Sequence, residues 1–312
     1  MANKEKNFAS ALIYVHNAEE RVGNFLKMVI GVMEENFEHS EIICVNDYST
    51  DNSKQEIKKA SAEAVTTSVS VVSLSYFHGL EVAMKAGIDL SIGDFVFEFD
   101  STVQDFDPDQ IMRIYRRSLE GYDIVSASPD RKERFSSHLF YRIFEKYAKV
   151  TTHMTTESFR VLSRRVINRI SDMNRTVPYR KVIYSSAGLK TDNVKYHPKQ
   201  NPVLKRDKGE KKYRPRLAID SLILFTDLGY RVSSIMAGMM AVVSILMIVY
   251  SLVVYFISQP VAGWTTTILF IAIAFFGLFV VQTVIIKYLQ ILLDLVFKRK
   301  HYSFESIEKL TK

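Results

Sequence analysis

The chain has 312 residues, of which 47% are hydrophobic, and its formal net charge is +7. A single cysteine excludes a disulfide bond within the chain, and no zinc-ligand spacing occurs. The positive charge could indicate a nucleic-acid partner, but much of the basic excess lies beside apolar C-terminal segments, where anionic headgroups and phosphorylated lipids are the natural partners. We therefore predict no nucleic-acid partner.

Roughly the first 125 residues alternate short apolar runs with longer segments of helical periodicity. This alternation predicts βαβ units, an α/β fold and a mainly parallel sheet, with ligands at the carboxyl ends of the strands. The predicted strands are Ala9–Val15, Glu41–Asn46, Val69–Ser73, Phe95–Phe99 and Ile124–Ser128. The predicted helices lie near Arg21–Glu35, Ser53–Ala64, His78–Ser91 and Pro108–Leu119.

Polar side chains follow the first two predicted strands. The first strand ends in the run from Tyr14 to Glu20, and the second ends at Asp47. A carboxylate in this position could accept hydrogen bonds from a base or a ribose. Ser49 and Asp51, which come next, could equally form a turn and cap the following helix. The two clusters predict a ligand site, with capping as the alternative for Ser49 and Asp51.

Asp100 directly follows the fourth predicted strand, and Gln104, Asp105 and Asp107 come shortly after it. Carboxylate and amide oxygens suit Mg²⁺ or Mn²⁺ bridging a diphosphate, because the cation offsets the charge that grows on the leaving group. An ordinary acidic turn before the next helix is the alternative for Asp105 and Asp107. Asp100 is therefore the stronger candidate for a metal site.

Beyond residue 130 the sequence becomes more helical and more basic. Helices are predicted at Ser136–Val150 and Ser163–Met173, and this half is expected to form the other side of the site. A basic stretch, Lys199–Arg216, leads into Leu217–Phe225. The mixed apolar and polar faces of this last run predict a helix that lies in a membrane interface.

Two uncharged segments, Val232–Ile257 and Val261–Ile286, each exceed the roughly 20 residues that a membrane-spanning helix needs. They predict a two-helix transmembrane hairpin, with buried soluble helices as the alternative. Lysine and arginine flank the pair on both long sides and are absent from the connecting loop, so both flanks are predicted to be cytoplasmic, at the inner membrane. The polar N-terminus, Met1–Asn7, does not resemble a secretory signal.

Several short motifs, taken together, resemble the family 2 glycosyltransferases of GT-A fold. They occur in the family's order and are Asn17-Ala18-Glu19, Val45–Asp51, Ala83–Gly87, Gly93-Asp94 and Asp100–Asp105. More narrowly, Phe159–Arg165, Arg206–Tyr213 and the two predicted spans are similar to the polyprenyl-phosphate glycosyltransferases. The resemblance implies a nucleotide-diphosphate sugar as donor, polyprenyl phosphate as acceptor, Mg²⁺ or Mn²⁺ as cofactor and contact with the lipid bilayer.

The resemblance also implies roles for individual residues. The nucleotide is expected to contact Asp47 and the residues at neighbouring strand tips, namely Tyr14, His16, Asn17, Glu19, His78 and Asp100. The D-x-D pair and its glutamine, which bind the metal and diphosphate in the family, map onto Asp100, Thr102 and Gln104. The acceptor phosphate is expected to bind basic side chains, namely Arg131, Arg134, Arg160, Arg206 and Lys212. General attraction to anionic lipid is the alternative for the basic residues beside the membrane.

The sequence departs from the family pattern inside this site. Thr102 replaces the second aspartate, Tyr14 replaces a proline, and Ser158 replaces the aspartate that normally precedes Phe-Arg. A lipid phosphate is already anionic near neutral pH, with a second pKa of about 6, so the loss at position 158 need not abolish transfer. Glu157 could stand in for the absent carboxylate. The predicted catalytic residues are Asp100, Glu157 and Ser158.

These observations predict a membrane-bound enzyme that transfers one sugar to polyprenyl phosphate with inversion, for cell-surface glycan synthesis. The predicted parts are a GT-A domain at residues 1–200, a basic segment and interfacial helix at 201–231, transmembrane helices at 232–290 and a cytoplasmic tail at 291–312. The alternative is a glycosyltransferase-like protein with a degenerate donor site, acting as a binding or scaffold subunit. The two-helix anchor is also compatible with a homo-oligomer.

Overall fold

The computed structural model describes residues 4–131, 156–172, 180–186, 188–199 and 302–311, with individual residues between 235 and 292. The chain divides into two units. The first contains residues 1–145, 150–218 and 300–312, and the second contains residues 146–149 and 219–299.

The first unit contains a mixed sheet. Among the described residues, its strands are β1 (Ala9–Val15), β2 (Ser40–Asn46), β3 (Ser68–Leu74), β4 (Phe95–Phe99), β5 (Ile124–Pro129), β6 (Phe159–Ser163), β7 (Thr191–Tyr196) and β8 (Phe304–Lys309). Their order across the sheet is β7-β5-β6-β4-β1-β2-β3-β8. Strand β6 is antiparallel to β4 and β5, and β8 is antiparallel to β3, whereas the other neighbours are parallel. The helices described in this unit are α1 (Glu19–Asn36), α2 (Ser53–Ser61), α3 (Leu80–Leu90), α4 (Asp109–Leu119), α5 (Arg164–Asp172) and α6 (Arg180–Ser186).

Strand β1 lies near the middle of the sheet and is buried on both faces. Its side chains alternate between the faces, as the period of two in a strand requires. Ala11 and Ile13 belong to the same buried cluster as Phe25 of α1, whereas Leu12 belongs to a second cluster with Met84 of α3. A continuous apolar strand of this kind is expected in a parallel sheet that helices cover on both sides.

The predicted α/β fold is confirmed. All five predicted strands and the four helices between them are present, with boundaries shifted by a few residues. The helix predicted at Ser163–Met173 is α5. Strands β6, β7 and β8 and helix α6 were not predicted. Strand β8 lies in the segment predicted as a cytoplasmic tail, and it carries three charged residues in six, as is common on an edge strand.

For the second unit, the structure describes separate helical residues between 235 and 292. Among the residues described, none of the helices has the length and apolar character needed to cross a membrane. The predicted spans, Val232–Ile257 and Val261–Ile286, lie mostly outside the described residues. The predicted helix at Ser136–Val150, the basic stretch Lys199–Arg216 and the interfacial helix Leu217–Phe225 also lie outside them, apart from Lys199.

Candidate active site

Several polar segments meet at the carboxyl edge of the parallel strands. Strand β1 pairs in parallel with β2 and β4, so the segments that follow Val15, Asn46 and Phe99 leave the sheet at the same edge. Strand β6 runs the opposite way, and Phe159 pairs with Phe99. The reversed direction places residues 157 and 158, which precede β6, beside the end of β4. This is the edge at which the sequence predicted a ligand site.

Side-chain hydrogen bonds join the loops that follow β1 and β2. The Oδ1 atom of Asn17 accepts a hydrogen bond from the backbone N–H of Thr50 at 2.9 Å. The Oε2 atom of Glu19 accepts hydrogen bonds from the backbone and side-chain amides of Asn52 at 2.9 and 3.0 Å. Asn17 has a φ of 45° and Tyr48 a φ of 54°, in the left-handed region that few non-glycine residues adopt. Asn17 and Glu19, both predicted to contact the nucleotide, therefore fix the second loop.

Asp47 is fully buried and accepts hydrogen bonds from its own chain. Its Oδ1 atom accepts one from the backbone N–H of His78 at 2.8 Å. Its Oδ2 atom accepts two, from the N–H of Gly79 at 2.8 Å and from the Tyr14 hydroxyl at 3.1 Å. Burial raises the pKa of Asp47, although the hydrogen bonds from His78 and Gly79 oppose this change. The carboxylate that was predicted to bind the nucleotide thus holds the loop that precedes α3.

Aromatic side chains surround Asp47. The His16 Nδ1 atom lies 2.7 Å from the Asp47 carbonyl oxygen, and the centroid of its ring lies 4.7 Å from that of Phe77. The His78 ring stacks on Tyr76 with a centroid distance of 3.9 Å and an interplanar angle of 19°. Tyr76 is 57% exposed, and an exposed aromatic ring can stack on a nucleotide base. The rings of His16 and His78 therefore lie beside those of Phe77 and Tyr76, and the nucleotide contacts expected of the two histidines stay predictions.

Two arginines bridge Glu98 of β4 and Asp100, the residue that follows this strand. Arg160 of β6 donates to Glu98 Oε2 at 2.9 Å and to Asp100 Oδ2 at 2.7 Å. Arg180, the first residue of α6, donates to Glu98 Oε1 at 2.6 Å and to Asp100 Oδ1 at 2.8 Å. Each carboxylate therefore binds both guanidinium groups. We refer to these four residues as the arginine–carboxylate ring.

The ring is buried except at Asp100, whose side chain is 19% exposed. Burial alone would lower the pKa of Arg160 and Arg180, but the neighbouring carboxylates outweigh it and raise both values. Burial alone would raise the pKa of Asp100, but the two guanidinium groups outweigh it and hold the value well below the ordinary range. Arg160, Arg180 and Asp100 are therefore all charged at neutral pH.

Further polar side chains surround the buried part of the ring. The Arg160 Nε atom donates to Glu157 Oε2 at 3.1 Å, and the Lys181 Nζ atom lies 3.7 Å from Glu157 Oε1. The Tyr184 hydroxyl donates to Glu98 Oε1 at 3.0 Å. Glu157, a predicted catalytic residue, is therefore paired with two cations.

The first turn of α3 connects Asp47 to the ring. The N–H of Gly79 donates to Asp47, and two residues later Glu81 Oε2 accepts hydrogen bonds from the Nε atom and the backbone N–H of Arg180, both at 2.9 Å. Burial raises the pKa of Glu81, and the Arg180 charge opposes this change. The start of α3 thus fixes the position of Asp47 relative to the ring.

Arg180 was not among the predicted site residues. Its own sequence signal is weak, because it consists only of a basic residue one helical turn before an aromatic residue, Tyr184. Glu98 carries a stronger signal, since a charged residue inside the apolar run Phe95–Phe99 requires a buried partner. The sequence could not name that partner, because Arg180 is separated from Glu98 by 82 positions.

A second polar group contains Ser158. Asp105 is 4% exposed; its Oδ2 atom accepts a hydrogen bond from Arg131 at 2.8 Å, and its Oδ1 atom accepts one from the Tyr196 hydroxyl at 2.7 Å. The Tyr196 hydroxyl lies 2.6 Å from Ser158 Oγ, and burial raises the Tyr196 pKa. Arg131, predicted to bind the acceptor phosphate, is therefore paired with Asp105. Three other predicted acceptor residues, Arg134, Arg206 and Lys212, lie outside the described residues.

The sequence matches the family model described as glycosyl transferase family 2 over residues 10–171, which is more than half of the chain. This chain belongs to glycosyl transferase family 2. The matched segment contains β1 to β6 and includes Asp47, Asp100 and Arg160, but it ends before Arg180. The predicted glycosyltransferase family and its GT-A-like α/β fold are confirmed.

Individual members of the wider glycosyltransferase group resemble this chain over different lengths. An uncharacterized glycosyltransferase of Synechocystis is 27% identical over 58% of this chain and 58% of the relative. The undecaprenyl-phosphate 4-deoxy-4-formamido-L-arabinose transferase of Shewanella sediminis is 24% identical over 78% of this chain and 74% of the relative. The prophage bactoprenol glucosyl transferase homolog of Escherichia coli is 31% identical over 60% of this chain and 62% of the relative. The chain thus spans less than two thirds of the first and third of these relatives.

The residues described in this family 2 chain do not fit the metal site predicted at Asp100 and Gln104. Both Asp100 carboxylate oxygens already bind guanidinium groups. Thr102, at the position of the second aspartate, is 5% exposed, whereas Gln104 is exposed. In the described part of the chain, no three His, Cys, Asp or Glu side chains form a group that could hold a metal ion. A cation at Asp100 would therefore lie beside two guanidinium groups.

The structure places most of the described site residues at one edge of the sheet. The end of β1, the start of α1, the loops after β1 and β2 and the loop before α3 contain the predicted nucleotide residues, namely Tyr14, His16, Asn17, Glu19, Asp47 and His78. The ring contains Asp100 and Arg160, the group around Asp105 contains Ser158 and Arg131, and Glu157 is hydrogen-bonded to the ring through Arg160. Their roles toward a ligand stay predictions.

Proposed function

We propose that this chain transfers a sugar from a nucleotide-diphosphate sugar to polyprenyl phosphate, with inversion at the anomeric carbon, for synthesis of a cell-surface glycan. Membership of glycosyl transferase family 2 supports the reaction class. The names of two relatives, an undecaprenyl-phosphate transferase and a bactoprenol glucosyl transferase homolog, support a polyprenyl phosphate as the acceptor.

The observation that carries this proposal is the link between Asp47 and Asp100 through the first turn of α3. The loops around Asp47 would bind the nucleotide, with Tyr76 against the base. Asp100 is the exposed member of the ring, so it is the member that can contact the sugar. Each of its oxygens accepts one guanidinium hydrogen bond in the structure and has a further lone pair for a sugar hydroxyl.

The proposed reaction is a single displacement. An oxygen of the lipid phosphate attacks the anomeric carbon, and the bond from that carbon to the diphosphate oxygen breaks. The nucleoside diphosphate leaves with the electron pair of the broken bond. The attack comes from the face opposite the leaving group, so the anomeric centre is inverted. Because the attacking phosphate has a second pKa of about 6, it is anionic near neutral pH and needs no strong base. Ser158 is compatible with this chemistry, since no proton has to be removed from the acceptor.

The proposal includes a membrane anchor at residues 232–290, with the catalytic domain and both flanks of the anchor in the cytoplasm. The length of the uncharged segments and the distribution of lysine and arginine support it. Gly277 and Met240 come from the two predicted spans and lie close together, since a Cβ added to Gly277 would be 2.8 Å from Met240 Cγ. Close contact between the two segments is consistent with a helical hairpin.

The proposed activity can be tested with the full-length protein in lipid nanodiscs. Nucleotide release is measured with a panel of UDP- and GDP-sugars and undecaprenyl phosphate, with and without Mg²⁺. The test variant is Asp100→Ala, and the matched control is Asp109→Ala, an exposed carboxylate in the first turn of α4. We expect release with one donor that Asp100→Ala abolishes and Asp109→Ala retains. No release with any donor at saturating lipid phosphate would contradict the proposal.

A binding or scaffold subunit with a degenerate donor site is the second candidate. Thr102 in place of an aspartate and the ion-paired state of Asp100 favour it. The same panel separates the two functions when nucleotide-sugar binding is measured by calorimetry. Absence of both binding and release would favour the scaffold, whereas tight binding of one donor would count against it.

A further inference from the structure

We propose that two arginines take the place of a divalent cation at Asp100 in this chain, so that the nucleotide sugar binds without added metal. This inference rests on the proposed function, because it concerns the donor site of the same enzyme. It assigns Arg160 and Arg180 as positioning residues that neutralise Asp100 and fix its orientation.

The hydrogen bonds between Asp100 and the two arginines are the first support for this assignment. Asp100 Oδ2 accepts from Arg160 at 2.7 Å, and Asp100 Oδ1 accepts from Arg180 at 2.8 Å. Both arginines are 4% exposed, and each also donates to a different oxygen of Glu98, which is fully buried. Because Glu98 also binds both guanidinium groups, neither arginine can move away from Asp100 without breaking a further buried ion pair. The positions of the two arginines are therefore fixed by the buried ion pairs of the site.

Electrostatic repulsion between cations supports the same assignment. A magnesium ion on an Asp100 oxygen would lie about 2.1 Å from it. The nearest guanidinium nitrogens lie 2.7 and 2.8 Å from these oxygens. A dication would thus lie within about 5 Å of a buried positive charge, in a region where water screens poorly. The guanidinium groups provide the positive charge that a metal would otherwise bring to Asp100.

The supply of further metal ligands is also poor. Thr102 offers a hydroxyl where a carboxylate would be needed, and its side chain is buried. Asp105 is ion-paired with Arg131 and accepts a hydrogen bond from Tyr196. Octahedral coordination of Mg²⁺ requires several oxygen ligands, usually with one or two carboxylates. Asp100 alone is a weak starting point for such a site.

The absence of a metal requirement has a consequence for the donor. A bare carboxylate at this edge would repel a sugar diphosphate, whereas Asp100 paired with two guanidinium groups carries its charge already neutralised. The exposed part of Asp100 then accepts hydrogen bonds from sugar hydroxyls, which are neutral donors. The ring thus separates the sugar contact from the neutralisation of charge, two tasks that a bound cation would combine.

Two measurements on the full-length protein test the inference. The first titrates Mn²⁺ alone and follows the free ion by electron paramagnetic resonance. The second measures the affinities of UDP and GDP by calorimetry in EDTA and in Mg²⁺. We expect no stoichiometric Mn²⁺ binding, and one nucleotide whose affinities in the two buffers agree within roughly twofold. Mn²⁺ binding that Asp100→Asn removes, nucleotide binding that requires Mg²⁺, or nucleotide binding in neither buffer would overturn the inference.

A gain-of-binding variant provides a further test that does not depend on loss of folding. Thr102→Asp with Arg180→Gln restores an aspartate pair and removes one guanidinium group. We expect this double variant to bind Mn²⁺ more tightly than either Thr102→Asp alone or the wild-type protein. Equal Mn²⁺ affinities in a double variant whose circular dichroism matches the wild type would count against the assigned role of Arg180.

The outcomes also separate this inference from the proposed function. Sugar transfer that depends strictly on Mg²⁺, together with Mg²⁺-dependent nucleotide binding, would overturn the metal-free site and leave the transferase intact. Metal-free nucleotide binding without transfer to any lipid phosphate would contradict the proposed transferase and leave the metal-free site intact.

Discussion

Glu98 and Arg160 lie directly opposite each other on the antiparallel strands β4 and β6, and their side chains form a buried ion pair of 2.9 Å. Cross-strand neighbours of this kind are held at a fixed distance by the sheet itself. The sheet therefore presents one arginine to Asp100, which directly follows β4. Arg180 completes the ring from a helix that lies outside the matched family segment.

Removal of the Glu98 charge should destabilise the protein strongly. In Glu98→Gln, Arg160 and Arg180 each lose a buried partner, and breaking a buried pair costs about 3–5 kcal/mol. Thermal unfolding followed by circular dichroism measures the effect. The control is Glu120→Gln, whose exposed pair with Arg117 should contribute little. Equal unfolding temperatures for the two variants would contradict a stabilising role for the ring.

The stability of the protein in acid should depend on Asp100. Burial acts to raise its pKa, but Arg160 and Arg180 outweigh it and lower the value in the folded state. A lowered folded-state pKa contributes stability above the unfolded value of about 3.9, and this contribution is lost as the pH falls toward about 2.

Asp100→Asn should therefore be less stable than the wild type at pH 7, by about 2 kcal/mol, and the difference should shrink between about pH 4 and pH 2. Burial raises the pKa values of Asp47 and Glu81, so their contributions to stability increase as the pH falls, opposite to that of Asp100. The variant must therefore be compared with the wild type at each pH. Denaturant titrations at each pH provide the measurement. A difference that stays constant from pH 7 to pH 2 would argue against the predicted linkage.

Ser158→Ala should retain transfer. The attacking lipid phosphate is anionic near neutral pH, so kcat should fall by far less than the roughly 100-fold that loss of a general base costs. Ser158 contacts the Tyr196 hydroxyl, which keeps its hydrogen bond to Asp105 in the variant. Initial rates of nucleotide release measure the effect, with Tyr196→Phe as the comparison. A loss of kcat as large as that of Asp100→Ala would assign Ser158 a direct catalytic role.

Gly87 should be sensitive to the addition of one methyl group. A Cβ at this position would lie 2.9 Å from Val45 Cγ2, between α3 and the sheet. Overpacking of this kind costs about 1–3 kcal/mol, so Gly87→Ala should lower the thermal midpoint.

Gly31→Ala is the matched control for Gly87→Ala, because Gly31 also lies within a helix but an added Cβ there meets nothing within 4 Å. This control should raise the free energy of unfolding by about 0.4–1 kcal/mol, since alanine restricts the unfolded chain. Stability changes of the same sign in the two variants would contradict the close packing of α3.

Deletion of residues 302–311 should weaken nucleotide binding. The Ser303 carbonyl oxygen accepts a hydrogen bond from the backbone N–H of Ser75, and the Ser303 N–H donates to His78 Nε2 at 3.3 Å. The His78 backbone in turn donates to Asp47. Loss of about one net hydrogen bond would lower nucleotide affinity by about 3- to 10-fold.

Calorimetry on the deletion variant measures this loss. Glu308→Gln is the control, because it keeps β8 and changes only one side chain, which is paired with Lys54 and Lys58. Unchanged nucleotide affinity after the deletion would show that β8 does not position the His78 loop.

The parallel core could be predicted from the sequence because its signals are local. Each of the first five strands is a short apolar run, and helical periodicity fills the segments between them. The carboxyl ends of parallel strands lie at one edge, so the positions of Asp47 and Asp100 followed from the strand boundaries. The family motifs then indicated which of these polar residues belong to a site.

Partners that are distant in sequence were decided by the tertiary structure. Asp47 was predicted to bind a nucleotide, but the fold buries its carboxylate against the backbone of residues 78 and 79. Asp100 was predicted to bind a metal, but the fold places two guanidinium groups on it. An aspartate can bind a ligand or pair with groups of its own chain. Which of the two it does depends on the groups that the folded chain brings within hydrogen-bonding distance.

The sequence by itself determined the α/β core, the edge at which the site lies and the family to which the motifs belong, because short-range periodicity and motif order encode all three. Only the tertiary structure decided that Arg180 completes the ring and that β8 returns to pair with β3. Arg180 is 82 positions from Glu98, and Ser303 is 225 positions from His78. Contacts over such separations depend on how the intervening chain packs, and no local pattern of residues records that information.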